Sequence, residues 1–351
     1  MNEKTFHETV SGRGRGIQHR VLRVLFWLAQ WPYRLAVWGR NRRFDRNPDA
    51  VCRVEVPVIS VGNLTVGGTG KTPMVKWLAR RLRSQGVRVA ILSRGYGAEQ
   101  GSVNDEALEL EQALPDVPHL QDPDRVKIAR IAIQELDSQV LLLDDGFQHR
   151  RLARDLELVL LDATEPFGYR ALLPRGLLRE PTGALRRASV VCLTRADMVD
   201  AEARRAVQAE VQRRAPSALW CEASHTAQRL VNSAGVSEGL EHLAGKQVLA
   251  FCGIGNPAAF RHTVEALGCR LAAWREFPDH HAYSRADIES LAAQAAGAEL
   301  AICTHKDLAK IHNESLGETP LWALEIEMSL LAGEAELDRQ VSRIAQMTRG
   351  E

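Results

Sequence analysis

Apolar and polar positions along the chain fall into two alternating stretches preceded by one segment of different character. From Pro57 onward, short β-branched or leucine-rich runs alternate with helical periodicity. "PVISVGN" reads as a buried strand, "MVKWLARRLRSQG" as a helix closed by Gly86, and "RVAILSRGY" as a second strand. Helical "DPDRVKIARIAIQEL" leads into the runs "QVLLLDDGFQH", "LELVLLDAT" and "ASVVCLTRAD". A second alternation starts near Lys246 with "QVLAFCGIGN". It continues through a helix from Pro257, "CRLAAWREF", the helix "SRADIESLAAQAAG", "ELAICTH" and "LWALEIEMSL". Strands apolar on both sides, spaced by amphipathic helices, predict an α/β fold: a parallel sheet covered on both faces. The glycine- and serine-containing stretch "LVNSAGVSEGLEHLAGK" separates the halves and puts a boundary near residues 230–246. The expected organisation is a basic N-terminal segment (1–46), a main domain (47–240) and a smaller C-terminal α/β domain (241–351).

The N-terminal segment carries its own pattern. At 100° per residue Ile17, Val21, Val24, Leu28, Trp31, Leu35 and Trp38 form one apolar stripe, with Phe26 and Tyr33 off it and Pro32 expected to kink the helix. Its longest unbroken apolar run, Val24 to Ala29, falls far short of the ~20 residues that span a bilayer. The formal net charge of the chain is only +1, yet Gly12–Arg46 holds nine arginines against one acid, Asp45. A tryptophan-bearing helix flanked by arginines suits the headgroup boundary of an anionic membrane. The alternative is a helix packed on the body of the protein with solvated arginines. Nucleic acid fits less well, because three tryptophans suit a lipid boundary better. Six scattered cysteines without a C-x-x-C pair predict reduced thiols.

Candidate chemistry begins after the first buried strand, at "VGNLTVGGTGKTP". Gly70, Lys71 and Thr72 end a phosphate-binding loop of the form G-x-x-x-x-G-K-[ST], but Thr65 stands where the first glycine belongs. Backbone N–H groups of Gly67–Thr72 at a helix start can wrap a polyphosphate. The candidate nucleotide set is Thr65, Val66, Gly67, Gly68, Thr69, Gly70, Lys71 and Thr72. Lys71 would bridge the terminal phosphates of ATP, and the Thr72 hydroxyl would hold Mg²⁺. Asp144 and Asp145, following four apolar strand residues, would lie at the carboxyl edge of the sheet as further metal ligands. Asn104-Asp105-Glu106 reads locally as a cap for the helix "EALELEQAL". Adjacent His280 and His281 point in different directions on most backbones, which argues against joint metal ligation.

"VGNLTVGGTGKTP", "LSRGYG", "NDE", "DDGFQH", "GLLREP", "LTRAD", "GIGNP", "FPDHHAY" and "THKD" occur in one order over residues 15–340. In this the chain resembles the tetraacyldisaccharide 4′-kinase family, the lipid A kinases of Gram-negative bacteria, in which Thr65 at that loop position is itself characteristic. The resemblance implies transfer of the ATP γ-phosphate to the 4′-hydroxyl of an acylated glucosamine disaccharide 1-phosphate. It implies a peripheral enzyme at the cytoplasmic face of the inner membrane, with ATP and Mg²⁺ as cofactors and no obligate protein partner. By the same resemblance Asp105 is the catalytic base, His280 (or His281) its helper, and Arg179, Glu180 and His281 substrate- or phosphate-side groups. One departure stands out: only residues 98–104 separate Gly97 from Asp105, where many members carry a longer excursion. The rival readings are a membrane-associated switch ATPase and a soluble small-molecule P-loop kinase. Switch ATPases carry a lysine just before "GGTGKT", and this chain has Val66 there.

Overall fold

The computed structural model describes residues 3–95, 109–111, 113–279, 281–311 and 313–348. It divides into two compact units, residues 1–223 with 330–351, and residues 224–329. The division falls inside two long strands, β7 (Leu219–Val231) and β13 (Thr319–Ala332), and not in the glycine- and serine-containing stretch. Residues 330–351 therefore belong with the N-terminal unit.

The first unit is built on β1 (Val58–Asn63), β2 (Val89–Ser93), β3 (His119–Gln121), β4 (Val140–Asp144), β5 (Leu156–Asp162), β6 (Val190–Thr194) and the opening of β7. Their order is β7-β6-β5-β1-β4-β2-β3, with every neighbouring pair parallel. β1 lies between β4 and β5 and is buried along its whole length, which is why its sequence does not alternate. On one face Val58, Ala90, Leu92, Leu141 and Leu143 pack against Val126, Ala129 and Ala132 of a helix over Arg125–Gln134. Another core gathers Val159, Leu161, Val191 and Leu193 with Leu64, Phe147 and Leu178.

Helices α1 (Glu3–Val10), α2 (Ile17–Arg46), α3 (Lys71–Ser84), α4 (Arg125–Gln134), α5 (Ala201–Arg214) and the C-terminal helix Glu334–Met347 belong to this unit. The C-terminal helix packs on α3, where Arg81 donates to Asp338 at 2.7 Å and Gln85 to Ser342 at 3.3 Å. α2 runs unbroken through Pro32, whose ring lies on the exposed side. Its predicted apolar stripe faces outward, from Ile17 at 79% exposure to Trp38 at 57%. The opposite face, spaced seven and four residues apart at Phe26, Tyr33 and Val37, makes the packing contacts.

The second unit holds the rest of β7 with β8 (Ser237–Glu238), β9 (Gln247–Cys252), β10 (Arg270–Glu276), β11 (Leu300–Thr304), β12 (Ser315–Leu316) and most of β13. β10, β9, β11 and β13 are parallel neighbours in that order. Alternate residues serve alternate faces. Val248, Ala250 and Cys252 meet Phe260 and Val264 of α6 (Pro257–Ala266). Leu249 and Phe251 meet Leu291 and Ala295 of α7 (Arg285–Ala295).

Candidate active site

Beyond the end of β1 the chain turns through Gly67 (φ 107°) and Gly70 (φ 86°), both in the left-handed region that favours glycine, and enters α3 at Lys71. Thr65 is buried and forms an antiparallel bridge with Leu178. Either side of it, Val66 N donates to Leu177 O (2.9 Å) and Leu64 O accepts from Arg179 N (2.7 Å). The loop is thus zipped to residues 177–179 in extended conformation, which a β-branched residue favours and a glycine weakens. Gly168 leaves room for the threonine: a Cβ there would lie 2.9 Å from Thr65 Cγ2.

Side chains from neighbouring strands hold the rest of the loop. Asn63 Nδ2 donates to Thr69 Oγ1 (2.9 Å), and Thr194 Oγ1 at the end of β6 donates to Thr69 O (2.9 Å). Arg195 donates to Gly68 O at 2.8 Å while paired with Asp162. Thr194 and Arg195 belong to "LTRAD", whose distance from the loop along the chain gives no sign of this support.

Asp144 ends β4 in register with Val61 and is buried. Asp145 follows at φ 50°, a conformation that aspartate tolerates better than most residues. Gly146 closes the turn with its N–H on Val61 O (3.0 Å). Arg179 grips Asp145 through two bonds of 2.7 and 3.0 Å and reaches Asn63 Oδ1 at 3.2 Å. Lys71 Nζ stands 3.8 Å from Asp145 Oδ1. Burial would raise the Asp145 carboxyl, but the Arg179 bond and the charges of Lys71, Arg179 and Arg125 outweigh it and hold it below the usual range. Gln148 donates to Asn63 O at 2.9 Å. Burial, reinforced by Arg125, Arg154 and Arg151, lowers the His149 imidazole to about 4, so it is neutral at pH 7.

The first unit therefore brings Lys71, Asp145 and Arg179 together beside the loop, with Thr72 in the first turn of α3. Glu180, expected on the substrate side, is wholly buried. Its carboxylate is taken up by Asn41 (2.8 Å), Arg40 (3.2 Å) and Arg187 (3.0 Å). His281 belongs to the second unit, where it stacks on Phe277 (4.7 Å) and its Nε2 lies 3.1 Å from Asp287 Oδ2. Asp307 anchors the same neighbourhood, accepting from Tyr283 (2.8 Å), Thr304 (2.6 Å) and Gly253 N (3.1 Å). It thereby joins "GIGNP", "FPDHHAY" and "THKD". Asp105 and His280 lie outside the described residues.

The family model for tetraacyldisaccharide-1-P 4′-kinase matches residues 22–346. A tetraacyldisaccharide 4′-kinase of Anaeromyxobacter sp. (strain Fw109-5) is 40% identical, covering 94% of this chain and 93% of its own. That of Geobacter sulfurreducens is 36% identical over 95% and 98%. The crystal structure of LpxK from Aquifex aeolicus in complex with ATP superposes with a TM-score of 0.73 at 31% identity, covering 92% of this chain and 99% of that one.

Proposed function

The chain belongs to the tetraacyldisaccharide 4′-kinase family, kinases of lipid A biosynthesis, and from that premise we propose that it transfers the γ-phosphate of ATP to the 4′-hydroxyl of a tetraacylated glucosamine disaccharide 1-phosphate. The observation that carries this reading is the assembly of Lys71, Asp145 and Arg179 beside the zipped loop at Thr65. In it, the loop amides and Lys71 bind the β- and γ-phosphates. Asp105 takes the proton of the 4′-hydroxyl as its oxygen bonds to phosphorus and the bond to the bridging oxygen breaks, releasing ADP. His280 assists that proton transfer, and His281 remains the alternative helper or a substrate contact. Positioning and charge stabilisation supply most of the acceleration.

The donor set suits Mg²⁺. Thr72 with Asp144 or Asp145 offers hard oxygens and few carboxylates. Mg²⁺ characteristically takes one or two carboxylates and completes its shell from phosphate and water. When bound it neutralises charge on the transferring phosphate. The Arg179 clamp and the charge of Lys71 keep Asp145 ionised.

Membrane position follows the exposed stripe of α2. No described helix is long and apolar enough to cross a membrane. Trp27, Trp31 and Trp38 are each about half exposed, and Arg34 and Arg42 stack on the last two at 5.5 and 4.8 Å. In this reading α2 lies in the cytoplasmic leaflet of the inner membrane and presents the acylated substrate at headgroup level.

The test is transfer of labelled γ-phosphate from Mg-ATP to the acylated disaccharide 1-phosphate in mixed micelles. Label on the lipid is expected, with Asp105→Ala losing about a hundredfold or more in kcat while ATP binding is spared. Label released only to water would favour the switch ATPase instead.

A further inference from the structure

Beyond its outward stripe, α2 contacts the segments that carry the active-site groups through Tyr33, Arg40, Asn41 and Asp45, while His19 and Arg23 bond locally to Thr9 and Gly14 and Asp45 also pairs with Arg186. Tyr33 Oη donates to the carbonyl of Arg179 (3.0 Å), the residue whose amide caps Leu64 O and whose guanidinium holds Asp145. Two turns on, Arg40 and Asn41 hold Glu180, the next residue in sequence. Glu180 in turn fixes Arg187, which donates to Phe147 O at 3.3 Å and lies 4.2 Å above the Phe147 ring. Arg150, from the same acidic turn, donates back to Asn41 O (3.1 Å) and pairs with Asp45.

A helix needed only as a lipid anchor could be attached through apolar packing on any part of the body. Here its polar grips converge on residues 179–180 and 147–150, the two segments flanking Asp145. Glu180 is sealed from solvent, and Tyr33, whose ring packs on the core, spends its hydroxyl on a backbone carbonyl.

We propose that α2 is part of the frame of the phosphate site, with Tyr33 a positioning residue that sets the Arg179–Asp145 clamp through its hydrogen bond to the Arg179 carbonyl. Seating of the helix on a lipid surface and alignment of the acidic turn are then properties of one rigid piece. The proposal rests on the assignment of Asp145 to the phosphate side.

Tyr33→Phe in the full chain keeps the ring and removes the bond. The expected result is a fall in kcat of about three- to tenfold, the range one net hydrogen bond supplies. KM for the lipid and partition onto vesicles should stay within about twofold of wild type, the scatter expected of substitutions that leave a surface untouched. The Mg²⁺-dependent part of the affinity for a non-hydrolysable ATP analogue, measured by calorimetry with and without Mg²⁺, should weaken as well. Unchanged kcat and unchanged Mg²⁺ dependence in a folded variant would overturn the proposal, as would a change confined to lipid KM. Arg40→Gln, at a partly exposed position, provides a second variant with the same readouts should Tyr33→Phe lose its fold. Asp145→Asn separates the two levels. If it retains full turnover, the site assignment fails and the proposal with it; if it is impaired while both α2 variants behave as wild type, only the proposal fails.

Discussion

Thr65 shows how a single residue can depart from a common motif without losing its chemistry. It contributes a bridge to Leu178 and a methyl packed into the space left by Gly168. Replacing it with the glycine of the usual pattern would therefore remove buried contact and add backbone freedom. Thr65→Gly should destabilise the protein by about 1–2 kcal/mol, read as a lower midpoint in thermal unfolding, and an unchanged midpoint would contradict the zipped-loop account. Lys71, Thr72 and the acidic pair were legible because they are neighbours in sequence to a strand and a helix start. Asn63, Thr194 and Arg195 were not legible as loop supports, since they reach Thr69 and Gly68 by strand adjacency and side-chain direction that spacing does not encode. The setting of Glu180 was hidden for a similar reason: its partners Arg40 and Asn41 are about 140 residues away along the chain.

At the scale of elements, the strands and most helices followed directly from period and length. α2 is the instructive exception. Its apolar stripe was readable, but periodicity cannot say whether a stripe faces a core or a lipid, and the off-stripe aromatics Phe26 and Tyr33 looked like defects. They form the packing face, and the stripe is left outward. The short edge strand β3 and the long β7 lacked a clear apolar run: β3 has no buried residue and β7 is only partly buried. If the stripe meets lipid, replacing Trp27, Trp31 and Trp38 together by serine should cut cosedimentation with anionic vesicles several-fold. Raising salt should release the wild type partially, through the screened arginines. Equal sedimentation of variant and wild type would remove the lipid-facing role of the stripe.

For the molecule as a whole, acid stability carries a signature of the buried acidic turn. His149 titrates near its ordinary value of 6.5 in the unfolded chain but at about 4 when folded. Above pH 6.5 neither state is protonated and the group costs nothing. As pH falls toward 4 the unfolded chain binds a proton that the folded chain refuses, and stability is lost. Asp145, held below the usual carboxylate range, loses its own contribution further into acid. His149→Gln should therefore flatten the decline in unfolding midpoint between pH 6.5 and 4, followed by thermal scans across that range; a slope equal to wild type would place the loss elsewhere. The division into units was only partly readable, because the boundary runs through continuous strands and the second unit is an insertion between residue 223 and residue 330. That arrangement has a consequence during synthesis. The helix Glu334–Met347 that packs on α3 is translated some 250 residues after α3 itself. At about 5–20 residues per second, the nucleotide-binding unit waits on the order of tens of seconds for its final helix. The tryptophan stripe of α2 precedes α3 in the chain, so under the proposed lipid-facing role a nascent chain would meet a membrane surface before it completes the unit that would use ATP.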